Sequence, residues 1–96
     1  MNNKLEDQYM DYLFQCILTL KSVEECHQFF EDLCTVAELK AMSQRMHVAK
    51  MLTEDRVYND IVKMTGASTA TISRVNRCLS YGTNGYRMAI DRAKEQ

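Results

Sequence analysis

Between residues 58 and 81 the chain reads YNDIVKMTGASTATISRVNRCLSY. Its chemistry-bearing side chains there are small hydroxyls, one methyl and three cations. Thr69, Ala70, Thr71 and Ser73 are short enough to let a helix sit deep in a DNA major groove. Their hydroxyls and methyls can meet base donors, base acceptors and thymine methyls, where bulky residues would hold the helix off the base edges. Arg74 and Arg77 follow and Lys63 precedes, supplying charge for phosphates. Together with Ser68 these form the candidate DNA-binding set. No catalytic set accompanies them. His27 and His47 fall on separate expected helices without an orienting partner, and no phosphate loop is present. Cys26, His27 and Cys34 lack the paired spacing of a zinc site, so no metal is expected.

A surface of this kind needs two helices and a tight joint. The spacing predicts one helix, a turn at Thr65-Gly66-Ala67, and a second helix opened by Ser68. Gly66 can take the left-handed conformation that ends the first helix. Ser68 can accept from the free N–H of Ala70 or Thr71 as an N-cap. Ile61, Ala67, Ile72, Val75 and Leu79 should point inward, which would leave Thr69, Ala70, Thr71 and Ser73 outward. The same pattern also suits a helical hairpin used for protein contact.

The remaining elements are read from caps and periodicity, since the chain has no proline. A first helix is expected over residues 4–20, with Tyr9, Tyr12, Leu13, Cys16, Ile17 and Leu20 on one stripe. Ser22-Val-Glu-Glu25 is a capping box opening a second helix, with Val23, Cys26, Phe29, Phe30 and Leu33 on its inner face. Thr35-Val-Ala-Glu38 is another, opening a third helix to about Thr53. On that helix Leu39, Met42, Met46, Ala49 and Leu52 make the main stripe, with Val48 and Met51 beside it. So wide an apolar surface suits burial on more than one side, and so a dimer. Gly82 should cap the recognition helix. A last helix is expected over residues 86–94, with Met88 or Ala89, Ile90 and Ala93 as contacts. The expectation is an all-α fold of about six helices in a single domain. Residues 1–55 would form a dimerisation core, 56–81 a helix-turn-helix, and 82–96 a terminal turn and helix.

Ninety-six residues bury a modest core, and 46% apolar content excludes a disordered tail. Cys16, Cys26, Cys34 and Cys78 are expected to be reduced core residues. The N-terminal stretch lacks a basic-then-apolar targeting pattern, and no apolar run is long enough for a membrane span; the protein is expected in the cytoplasm. Net charge is −1, but residues 1–55 carry −5 and residues 56–96 carry +4. A basic head on an acidic body suits a partner such as double-stranded DNA.

Residues 35–81 resemble the Trp repressor superfamily, closest to the TrpR-related YerC/YecD branch of small bacterial proteins. The resemblance rests on Thr35-Val-Ala-Glu-Leu39, Arg45, and Gly66-Ala-Ser-Thr-Ala-Thr-Ile-Ser-Arg74. In the branch it extends to Phe29-Phe-Glu-Asp-Leu33, Asn76-Arg-Cys-Leu79, Gly82 and Gly85-Tyr86. It implies an intertwined homodimer that binds operator DNA, with the terminal helix packed on the partner chain. It also implies a small-molecule corepressor site at Thr35, Arg45, Arg74 and Cys78. A guanidinium can both stack on an aromatic ring and fork onto a carboxylate. Two departures stand out: Val75 occupies the place of a glycine and Cys78 that of a serine. Tryptophan is therefore not expected to bind in the repressor's manner; another effector acts, or none. The sequence reads best as a sequence-specific, dimeric transcription regulator, a repressor as the resemblance implies. A helical protein-interaction module is the alternative, and an enzyme is not expected.

Overall fold

The structure, a computed structural model, describes residues 4–96, with side chains from residue 7 onward. Residues 1–3, part of the stretch read above for targeting signals, lie outside the described residues. Six helices and no strand are present among the described residues, so the fold is all-α. They are α1 (Lys4–Ile17), α2 (Val23–Leu33), α3 (Val36–Thr53), α4 (Tyr58–Thr65), α5 (Thr69–Tyr81) and α6 (Gly85–Ala93). Packing divides the chain into two compact units, Met1–Thr35 and Val36–Gln96.

In the N-terminal unit, α1 stops at Ile17, three residues short of the expected end. Thr19 turns the chain back there, its N–H (3.1 Å) and hydroxyl (2.6 Å) both donating to the Cys16 carbonyl. Ser22 caps α2, its Oγ accepting from Glu25 N at 3.1 Å. The Glu25 carboxylate reaches one residue further back than a capping box requires, accepting from Lys21 N at 3.0 Å. Phe29 and Phe30 meet edge to face with centroids 5.2 Å apart. Among the described residues α1 and α2 do not pack on one another. Tyr9, Tyr12, Phe14, Val23 and Leu33 are exposed, and α2 buries no residue.

The C-terminal unit holds the core. Val48, Ala49 and Met51 of α3 pack with Ile61, Ala67, Ile72, Val75 and Ile90. Leu52, Tyr58, Val62, Leu79 and Tyr86 pad the edge. α3 lies against α4, α5 and α6. The buried residues of α3 are therefore Val48, Ala49 and Met51: of the expected main stripe Ala49 is buried and Leu52 packs at the core edge, and Val48 and Met51, expected beside it, are buried too. Leu39 and Met42 are only half-buried and Met46 is exposed. On α6, Ile90 alone is buried; Met88, Ala89 and Ala93 are exposed.

Gly66 ends α4 in the left-handed region at φ 72, its N–H donating to the Val62 carbonyl at 2.9 Å. No atom lies within 4 Å of the position a Cβ would take there, so the backbone alone calls for glycine. Gly66→Ala should lower stability by about 1 kcal/mol, the cost of left-handed backbone for an L-residue, read as a lower denaturant midpoint at unchanged m-value. Gly82 does cap α5, but at φ −83. Its reason is steric: a Cβ would stand 2.5 Å from the Cys78 carbonyl oxygen, a backbone atom that cannot step aside.

Candidate nucleic-acid interface

α4 and α5 are joined by Gly66, Ala67 and Ser68. Ala67 is buried at the joint, and Ile61, Ile72 and Val75 are at most 1% exposed. These four anchors fix which face of α5 turns outward. Ser68 caps the helix: its Oγ accepts from Thr71 N at 3.1 Å and donates to Thr71 Oγ1 at 3.1 Å. A capped first turn holds Thr69 and Ala70 on ordered backbone rather than on a frayed end.

Thr69, Ala70, Ser73, Arg74 and Arg77 are exposed on α5, as are Ser68 at its cap and Lys63 on α4. Thr71 departs from expectation. It is half-buried and its hydroxyl is engaged by Ser68, because it stands one turn before Val75 on the flank of the inward stripe. Among the described residues Lys63, Arg74 and Arg77 have no ion-pair partner, whereas Arg56 lies 3.9 Å from Asp60 and Lys50 lies 3.0 Å from Glu54. The Lys50 ammonium holds the Glu54 carboxyl below the usual carboxylate range. The first turn of α5 carries no acid, so the partial positive charge of the helix N-terminus stands unopposed beside the free cations.

The residues carried over for an effector differ in exposure. Arg45 is half-buried on α3; Arg74 and Cys78 are exposed on α5; Thr35 is exposed at the end of the N-terminal unit. Val75 is part of the core. The expectation that the four cysteines are core residues is not met: none is in the buried core, and the Ile72, Val75, Leu79 stripe leaves Cys78 exposed on the outer flank. Cys16, Cys26 and Cys34 are half-buried, and all four are free thiols. Among the described residues no three His, Cys, Asp or Glu side chains gather as a metal-ligand set. No helix among them is long and apolar enough to cross a membrane.

Two residues outside the sequence-derived set bear on the interface. Gln44 of α3 donates its side-chain amide to the Thr65 carbonyl at 3.1 Å. Thr65 Oγ1 donates to the Ile61 carbonyl at 2.7 Å and accepts from Ala67 N at 3.1 Å. The only trace of this in the sequence is an amide among the methionines of α3, since a half-buried amide must find a partner.

Residues 8–94 match the Trp repressor protein family profile. The chain belongs to the Trp repressor family. It is 55% identical over 93 residues to the uncharacterized protein YerC of Bacillus subtilis (strain 168), covering 97% of this chain and 89% of that one. Among solved structures it is similar to a TrpR-like protein from Eubacterium eligens ATCC 27750, with TM-score 0.90, 56% identity, and 97% and 96% of the two chains covered. A Staphylococcus aureus protein described as a candidate Trp repressor matches with TM-score 0.88 and 47% identity, over 99% of this chain and 98% of that one. Trp repressor-like membership carries the broad character of a DNA-binding regulator family.

Proposed function

We propose that this protein is a sequence-specific DNA-binding transcription regulator of the cytoplasm, acting as a homodimer through α4 and α5 as a helix-turn-helix. The observation that carries the reading is the outer face of α5: small uncharged side chains at a capped N-terminus, followed by two exposed arginines without an ion-pair partner among the described residues. Thr69 and Ala70 meet base edges, directly or through water, and Thr71 shapes the cap beside them. Lys63, Ser68, Ser73, Arg74 and Arg77 hold the phosphate backbone.

The second copy is supported by the uncovered apolar residues of α1 and α2 and by charge. The N-terminal unit has two basic against seven acidic residues, and the C-terminal unit ten against six. α3 and α6 also border an open groove of about 430 Å³ with Met46, His47 and Ile90 in its wall and Lys50 and Lys94 among its lining. A second copy's acidic, aromatic N-terminal unit suits that surface. Dimerisation makes the melting temperature rise with protein concentration, whereas a flat dependence, with a monomer mass by sedimentation, would remove the dimer from the reading.

Selection from a random duplex library at two salt concentrations tests the DNA assignment. A dimer enriches a palindrome with half-sites about 34 Å apart, one helical turn. Recovery without enrichment leaves only a basic surface, and no recovery at either salt favours a protein-interaction module.

A further inference from the structure

The joint between α4 and α5 is tied to α3 by a polar contact that reaches across 21 residues of sequence. The last carbonyls of any helix lack donors within it. In α4 the Val62 carbonyl is met by Gly66 N, and the Thr65 carbonyl is met by the Gln44 amide from α3. A carbonyl can only accept, so Gln44 must present its NH2 group there. The contact is part-buried, where water competes poorly for either partner. Thr65 meanwhile uses its hydroxyl on Ile61 and on Ala67. One residue thus links α3, the body of α4 and the turn.

A second restraint lies further along α5. Ile72 and Val75 are buried in the same cluster as Val48 and Ala49 of α3. The polar contact fixes where α5 begins, and the apolar anchors fix its rotation about its own axis. Both restraints come from the chain itself.

We propose that Gln44 is the positioning residue of the reading pair, clamping the α4–α5 turn to α3 so that α5 starts from a fixed place for DNA reading. This rests on the DNA-binding reading of α5.

The test joins a wild-type measurement to two variants. In the wild-type protein, NMR should detect scalar coupling across the hydrogen bond between Gln44 Nε2 and the Thr65 carbonyl carbon, a measurement that needs no variant. Gln44→Met keeps the bulk and Gln44→Glu keeps the shape, and both remove the donor. Each should move the Thr65 carbonyl shift, speed amide exchange at Ala67 and Thr71 about tenfold, and weaken operator binding about tenfold with helix content retained. No coupling in wild type, or an unchanged carbonyl shift and exchange in both variants, would overturn the clamp. Operator affinity unchanged in both variants would overturn the positioning role. Failure of wild-type protein on every duplex would instead overturn the DNA reading, and the NMR measurement would still decide the clamp.

Discussion

Alanine at Ile72 is expected to destabilise the protein by about 3 kcal/mol, within the usual range for removing a buried isoleucine side chain beyond its β-carbon. Ile72 is 0% exposed, so the change removes apolar burial and leaves a void in the cluster it shares with Val48 and Ala49 of α3 and Ile61 of α4, two separate helices that cannot readily close it. Domains of this size hold about 5–15 kcal/mol in all, so one substitution takes a large share. Ser73→Ala, one residue on and exposed, should change stability by less than about 0.5 kcal/mol. The pair is read from denaturant unfolding at fixed protein concentration, because a dimer's stability depends on it. Similar losses at both positions would mean that α5 is not anchored by its Ile72, Val75 face, and its outward face would have to be reassigned.

That anchoring was the most legible part of the chain. Gly66, Ser68 and the Ile61, Ala67, Ile72, Val75 set depend on local rules: a left-handed helix end, an N-cap and a 3.6-residue period. Each acts within a turn or two, and each is present in the structure. The same rule, applied more strictly, would have placed Thr71 on the flank, since it lies four residues before Val75. The end of α1 was not legible because no glycine or proline marks it; the stop comes from Thr19 folding onto Cys16. The α3 stripe was legible only in part, Ala49 and Leu52 meeting the core but Leu39, Met42 and Met46 not, for a different reason. Apolar residues occupy several sides of that helix, so periodicity alone cannot say which side α4, α5 and α6 will cover. Gln44 was invisible because its partner is the backbone of a distant residue, and no side-chain pattern records a carbonyl.

Alanine at Arg77 should weaken binding to all operator variants alike, and it should do so most at low salt. Arg77 is exposed and, among the described residues, without an ion-pair partner, so its loss should leave the fold intact. Each phosphate contact contributes about 0.9 to the slope of log affinity against log salt. In a homodimer both copies lose the contact, so the slope should fall by about 1.8. A change from 50 to 200 mM salt is fourfold, so about a tenfold part of any deficit should disappear across it. Arg74→Ala should behave in the same way if its guanidinium also meets phosphate. Thr69→Ala should not: it keeps the wild-type salt slope and loses affinity mainly at the base pair it reads, by about 1–3 kcal/mol. The two kinds of variant therefore separate on axes that share no common cause, one on salt and the other on sequence. If Arg77→Ala kept both its affinity and its slope, the basic flank of α5 would not face DNA. If Thr69→Ala weakened every sequence equally, the N-terminal turn would be holding the backbone rather than reading bases.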